Sequence, residues 1–318
     1  MKNNMENIIG PKLYQNPKAH PQEELNFETP KKGKLRIMPI SDSVWAPTGF
    51  GTNSKNVSAI LTNEGHHIGY GGCQNPSHSS YDIEWPLGQE ETTCKIENLP
   101  LMHPGQERFG EKSFPLWVKG FKPDVIWTHL DFQMFAHVAQ SKAPKIAQLP
   151  LYNPKTGKIW DRKERKNMLN DIFKTVAKGS PWKWAATIPF DGQPCISQWQ
   201  ESLDQIDYKI CMSRYGQLCM EEEFDNCEKS WYIPHGVDCN SFKPMLTPNY
   251  GKEPCPDAFI VGCVARNQHR KNIPQLIKGF KEFVDRNNLK SDEAKLILHM
   301  DWNDAMGWNF PTFAEKYG

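Results

Sequence analysis

The alternation of apolar and polar positions begins at Lys34. Residues 1–34 are polar, carry Pro11, Pro17, Pro21 and Pro30, and show no apolar period, which predicts a flexible tail or a strap over the surface. "LRIMPI" (35–40) then reads as a buried strand. "NSKNVSAILTNEG" (53–65) has helical spacing, with Val57, Ile60 and Leu61 on one face, Asn53 or Ser54 as the N-cap and Gly65 as the stop. "HHIGYGG" (66–72), "PDVIWTHL" (123–130), "APKIAQLPL" (143–151), "KWAATIPFD" (183–191) and "YKICMS" (208–213) predict further strands with helices between them. One of those helices, "SRYGQLCMEEEF" (213–224), starts from Ser213 as its N-cap, and its acidic stretch reads as a solvated face.

"LTPNYGKEPCP" (246–256) is rich in Pro and Gly and predicts a connection between domains. A second strand–loop–helix unit follows, "AFIVGCVARNQHRKNIPQLIKGFKEFVDRNN" (258–288). Its helix places Ile273, Leu276, Ile277, Phe280 and Phe283 on one face, with Asn272 as cap and Pro274 in the first turn, where a missing N–H costs nothing. "KLILHM" (295–300) is the next strand. Strands alternating with helices imply right-handed crossovers and largely parallel sheets. The fold class expected is therefore α/β: a tail over 1–34, an N-terminal Rossmann-like domain over 35–240, and a second Rossmann-like domain over 241–318. That second segment is shorter than the about 100–150 residues a doubly wound domain takes, so it is expected to be incomplete.

Composition narrows the classes. Among 318 residues, 38 are basic and 37 acidic, a net charge of +1, so no global field recruits nucleic acid or acidic lipid. No run approaches the about 18 uninterrupted apolar residues of a membrane span. The N-terminus has no apolar core of signal-peptide type, which predicts a soluble, cytoplasmic protein. Nine cysteines without a C-x-x-C pair read as reduced thiols. His66, His67, Cys73 and His78 lack a recognised ligand spacing, and no metal is expected.

Three constellations carry candidate chemistry. Gly49-Phe50-Gly51, between Thr48 and Thr52, follows the first strand and precedes a helix; glycines there let a phosphate approach the helix N-terminus, or merely make a tight turn. In "VARNQHRKN" (264–272), Arg266 and Lys271 flank a loop at the carboxyl end of a strand, where α/β sheets bind anions. Arg266 offers a planar fork to phosphate oxygens and Lys271 a point charge, while His269 and Arg270 fit a solvated basic turn. The third constellation is "IPHGVDCNSFKP" (233–244).

This third segment resembles the "IPNGVD…F.P" signature of family 4 (group 1) glycosyltransferases, which have the two-Rossmann-domain GT-B fold. Gly49, Gly51, Leu61, Gly65 and His66 are similar to that family's first glycine loop and helix, and Arg266 through Lys271 to the opening of its second domain, with Ala265 where Gly is usual. Pro123, Asp124, Val125 and His129 match its "PDv.h.H" strand, with Trp127 for the first His, and Met212, Ser213, Arg214 and Tyr215 match its "vSry" step. The resemblance covers residues 35–290 with the motifs in order.

It implies a retaining, metal-independent glycosyltransferase that moves a sugar from a nucleotide-diphosphate donor (UDP- or GDP-sugar) to an acceptor hydroxyl. The donor is then a substrate, no cofactor is implied, and the acceptor is a sugar, lipid or protein, with room for peripheral membrane contact. Arg266 and Lys271 would neutralise the charge on the departing diphosphate, and Gly49 and Gly51 would face the donor phosphate or the acceptor.

The family's His that touches the reacting sugar has no counterpart in "ATIPFDGQP" (186–194), which offers Asp191 as a hydrogen-bonding group or base, or as a plain Asp-Gly turn residue. The family's E-x7-E segment lies beyond Gly318, and "DWNDAMGWNF" (301–310) is not a substitute, so a C-terminally truncated chain is expected. His129, at a strand's carboxyl end, is a further ligand candidate, and His235 either touches ligand or shapes a turn with Gly236. Trp182, Trp184 and Trp199 are packing residues or stacking surfaces for sugar or lipid. The alternative function is a non-catalytic remnant that acts as a binding or scaffold protein. A dehydrogenase is disfavoured because "GFGTNS" lacks the third glycine.

Overall fold

The first strand, β1 (Arg36–Asp42), is buried along nearly its whole length, as expected of a central strand covered on both faces. The computed structural model describes residues 32–73, 81–87, 90–99, 109–111, 113–142, 182–239, 242–244, 258–302, 304 and 307–317. The chain divides into two units, Met1–Phe242 and Lys243–Gly318. The tail over 1–34, the strand expected at 143–151 and the connection at 246–256 lie wholly or almost wholly outside the described residues.

The first unit is an α/β, Rossmann-like layer. Helix α1 (Gly49–Asn63) follows β1, then β2 (His67–Cys73), β3 (Tyr81–Leu87), β4 (Glu90–Asn98), α2 (Ser113–Phe121) and β5 (Val125–His129). A 3-10 turn and α3 (Ala136–Lys142), β6 (Lys183–Ile188), a helical turn at Gln200–Leu203, β7 (Tyr208–Cys211), α4 (Arg214–Glu223) and β8 (Trp231–Tyr232) complete it. The sheet order is β3-β4-β2-β1-β5-β6-β7-β8. Seven strands are parallel and β3 pairs antiparallel at one edge, a hairpin partner the sequence reading did not anticipate. The β1–β2 ladder skips Met38 and Pro39, where the proline has no N–H to donate.

Alternate residues of β1 feed opposite faces. Met38 and Ile40 join Phe114, Phe121, Ile126, Phe132, Trp184 and Ile188 in the larger core, while Ile37 joins Val44, Ile68, Tyr70 and Ile96. Trp182 and Trp184 are buried, and Trp199 packs edge-on to Phe132, so these indoles are core residues and not stacking platforms. Ser213 caps α4 as expected, its hydroxyl accepting from the Gly216 N–H at 2.9 Å.

Two features of α1 differ from the pattern-based expectation. Its N-cap is Thr48, not Asn53 or Ser54, so the two glycines form the first turn of the helix instead of a loop before it. Its buried positions are the small Gly51, Ser54, Ser58 and Ala59, while Ile60 is 49% exposed. Small residues let the helix lie close on the sheet, and that contact outweighs the apolar stripe.

In the second unit, β9 (Phe259–Val264) pairs in parallel with β10 (Ala294–His299). Helix α5 (Ile273–Arg286) lies between them in sequence, and α6 (Phe310–Tyr317) follows. Ile273 is buried, and Phe283 packs on Phe280 and Phe259. Asn272 holds the cap position of α5, but with φ 48° and no side-chain cap bond, so it acts as a left-handed backbone hinge rather than as the expected hydrogen-bonding cap.

Candidate functional site

The strand order reverses direction between β1 and β5: the chain runs outward from β1 through β2 to β4, then returns beyond β1 to β5. Doubly wound sheets open a crevice at the carboxyl edge of such a switch point, because the two flanking loops diverge there. Here Ser41, near the end of β1, bridges that gap, its Oγ donating to the carbonyl of His129 at 2.7 Å.

The loop after β1 is fixed by its own hydrogen bonds. The Ser43 N–H donates to the Cys73 carbonyl at 2.9 Å, and the Ala46 N–H to the Ser43 carbonyl at 2.9 Å. Thr48 Oγ1 donates to Asp42 Oδ2 at 2.6 Å and accepts from the Gly51 N–H at 3.0 Å, so one hydroxyl caps α1 and ties it to β1. Gly51 is required by this packing: a Cβ there would lie 2.8 Å from the Ser43 carbonyl oxygen and 2.9 Å from that of Ala46. A Cβ on Gly49 would meet nothing within 4 Å, and the residue is exposed at the helix start. The two glycines that looked alike in sequence thus have different causes.

His129 closes β5 and is fully buried. Its Nδ1 lies 2.8 Å from Ser54 Oγ on α1, and its Nε2 lies 3.1 Å from Nε2 of His235 in the segment after β8. The Trp127 ring stacks on it at 5.5 Å, and Phe50, from the first turn of α1, meets it edge-on at 5.1 Å. Burial, with the neighbouring His235 adding to it, pushes the His129 imidazole down to about 3. Burial also lowers His235, although that residue is exposed. Burial thus favours the neutral form of both rings near pH 7, and a hydrogen bond between the two Nε2 atoms takes its N–H from one ring and its lone pair from the other.

The structure thus brings together four of the sequence candidates, Gly49, Gly51, His129 and His235, around the carboxyl end of β1 and β5. Ser41, Asp42, Ser54 and Tyr70 complete the cluster and were missed, since a serine on a helix or a tyrosine in a strand carries no motif. Asp191 is exposed in the segment after β6, and no described hydrogen bond ties it to the histidines. His67 pairs with Glu97 at 2.9 Å, and the His66 Nδ1 accepts from the Leu35 N–H at 3.1 Å. Among the described residues no group of three potential metal ligands converges, and His78 lies outside them.

In the second unit, Arg266 follows the end of β9 and Lys271 ends the 3-10 turn His269–Lys271, both exposed. Arg266 Nε donates to Asp304 Oδ2 at 2.5 Å, and this contact raises the guanidinium above its ordinary value. Asn267, buried between them in sequence, donates to the Trp308 carbonyl at 3.0 Å and accepts from the Trp308 N–H at 2.9 Å, tying the loop after β10 to the loop after β9. The acidic "DWND" stretch therefore bears on this cationic loop through Asp304, a relation that spacing alone did not disclose.

No model of a known protein family matches the chain, and a search of curated proteins finds no match either. No helix among the described residues is long and apolar enough to cross a membrane.

Proposed function

We propose that the protein is a retaining glycosyltransferase of the GT-B class, which moves a sugar from a nucleotide-diphosphate donor to an acceptor hydroxyl. The observation that carries the reading is the convergence on His129: the first turn of α1, the end of β5 and the segment after β8 meet at the switch point of a Rossmann-like sheet. Such an edge offers the open backbone at Gly49 and, backed by the buried His129, the exposed imidazole of His235 as a group suited to hydroxyls. Arg266 and Lys271 would supply positive charge to the leaving diphosphate, the kind of stabilisation that dominates many group transfers. Asp191 is the further acid–base candidate of the first unit. The test is release of UDP or GDP, with thermal stabilisation, on incubating the chain with a panel of UDP- and GDP-sugars. No release and no stabilisation across the panel would refute the reading.

A non-catalytic binding protein is the second reading, and one observation favours it: the Arg266 guanidinium is already matched by a carboxylate, which a diphosphate would have to displace.

A further inference from the structure

We propose that the carboxyl end of β10 is a nucleoside subsite, in which the Trp302 indole stacks on the base and the Asp301 carboxylate accepts from a ribose hydroxyl. That the nucleoside belongs to a sugar donor rests on the transferase reading; the place of base and ribose beside a phosphate loop does not.

Topology sets the direction in which a nucleotide lies. β9, α5 and β10 form a parallel βαβ unit, its strands paired from Phe259↔Ala294 to Val264↔His299. In such units the phosphates sit in the loop after the first strand, at the helix N-terminus. The ribose then lies over the end of the second strand, where an acidic side chain takes its hydroxyl. Arg266 and Lys271 hold the first of these positions and Asp301 the second. Arg266 and Asp301 each stand two residues past the last ladder pair, so they leave neighbouring strands, about 4.8 Å apart, at the same level. The Ala265 N–H, donating to the His299 carbonyl at 3.4 Å, carries the pairing one step further. Asp301 is exposed, and a carboxylate has two oxygens with which to accept. Its role comes from its place in the fold, since the 301–304 spacing does not match the two-acid segment of the resemblance.

Trp302 follows at once and is 62% exposed. Its carbonyl accepts from Asn267 Nδ2 at 3.4 Å, and the fully buried Asn267 adjoins Arg266 in the chain. The backbone beneath the indole is thus tied to the phosphate loop, while among the described residues no ring packs on the indole itself. Trp308, by contrast, is half-buried, with the His269 and Phe313 rings at 4.4 and 5.6 Å. One tryptophan fastens the loop and the other offers a face. A planar base covers such a face without hydrogen-bond readout, so stacking accepts uracil and guanine alike.

The experiment is titration of the full chain with UDP, GDP and inorganic pyrophosphate, followed by 1H–15N NMR and calorimetry. The Trp302 indole N–H is assigned by its loss in Trp302→Phe. UDP and GDP should displace that resonance and pyrophosphate should leave it in place. Trp302→Ala should weaken both nucleotides by about tenfold or more, with pyrophosphate affinity and circular dichroism unchanged. Wild type should prefer UDP to 2′-deoxy-UDP, and Asp301→Ala should erase that preference. Nucleotides that bind with the indole unmoved, an equal shift from pyrophosphate, or an unaltered affinity in Trp302→Ala overturns the base assignment. A ribose preference that is absent from wild type or survives Asp301→Ala overturns the ribose assignment. Each of these results leaves the transferase reading standing, whereas no binding of UDP or GDP to wild type overturns that reading together with the subsite.

Discussion

His129 and His235, 106 residues apart in sequence, face each other Nε2 to Nε2 at 3.1 Å with their rings nearly perpendicular. One ring is buried and the other exposed, so the pair connects the packed interior of the sheet to its carboxyl edge.

This pair predicts acid sensitivity. The folded His129 titrates near 3, below the ordinary 6.5, so between those values the unfolded chain holds a proton that the native one refuses. Its contribution to stability is complete above about pH 6.5 and falls by about 1.4 kcal/mol for each pH unit below that, down toward pH 3. The buried His137, also lowered by burial, acts in the same sense. Urea unfolding from pH 7.5 to 4.5 should show this slope, and His129→Gln should flatten it in part. An unchanged slope in that variant refutes the assignment.

The two glycines of α1 should separate on substitution. Gly51→Ala forces a Cβ against two fixed carbonyls and should cost about 1–3 kcal/mol of stability by urea unfolding. Gly49→Ala meets open space and should leave the unfolding curve in place, while weakening any ligand whose phosphate or hydroxyl approaches that backbone. Equal destabilisation by both would contradict the described packing.

Under the transferase reading, Arg266→Ala and Lys271→Ala should each lower donor turnover by about 100-fold or more with an unaltered circular dichroism spectrum. Asp304→Asn should act in the opposite direction on nucleotide affinity, because it releases the Arg266 fork from its carboxylate. Titration with UDP and GDP by calorimetry checks this, and weaker binding in Asp304→Asn would count against a diphosphate at Arg266.

Trp184 has no exposed surface, and its Nε1 donates to Thr128 Oγ1 at 2.9 Å. Trp184→Ala should therefore cost about 3–5 kcal/mol, and an effect on ligand affinity without loss of stability would restore it as a ligand-stacking residue.

Much of the framework was legible in the sequence. The apolar runs at 35–40 and 208–213 became β1 and β7, Ser213 capped α4, and Gly65 follows the last turn of α1 at φ +87°. These features are local: strand runs, caps and left-handed stops depend on a few neighbouring residues and their backbone preferences. The start of α1 was misplaced because Asn53 and Ser54 have good cap chemistry, whereas Thr48 prevailed through Asp42, a residue on another element.

The sequence by itself determined the alternation of strands and helices, the parallel sheet and the residue types at the strand ends. It could not determine which strand ends meet, because that is fixed by the order in which strands pair across the sheet. Only the tertiary structure brought Ser54, His129 and His235 into one hydrogen-bonded line, and only it distinguished Gly51, crowded by carbonyls, from Gly49, open to solvent. Hydrogen bonds between strand ends and free space beside a backbone arise from groups distant in sequence and close in space.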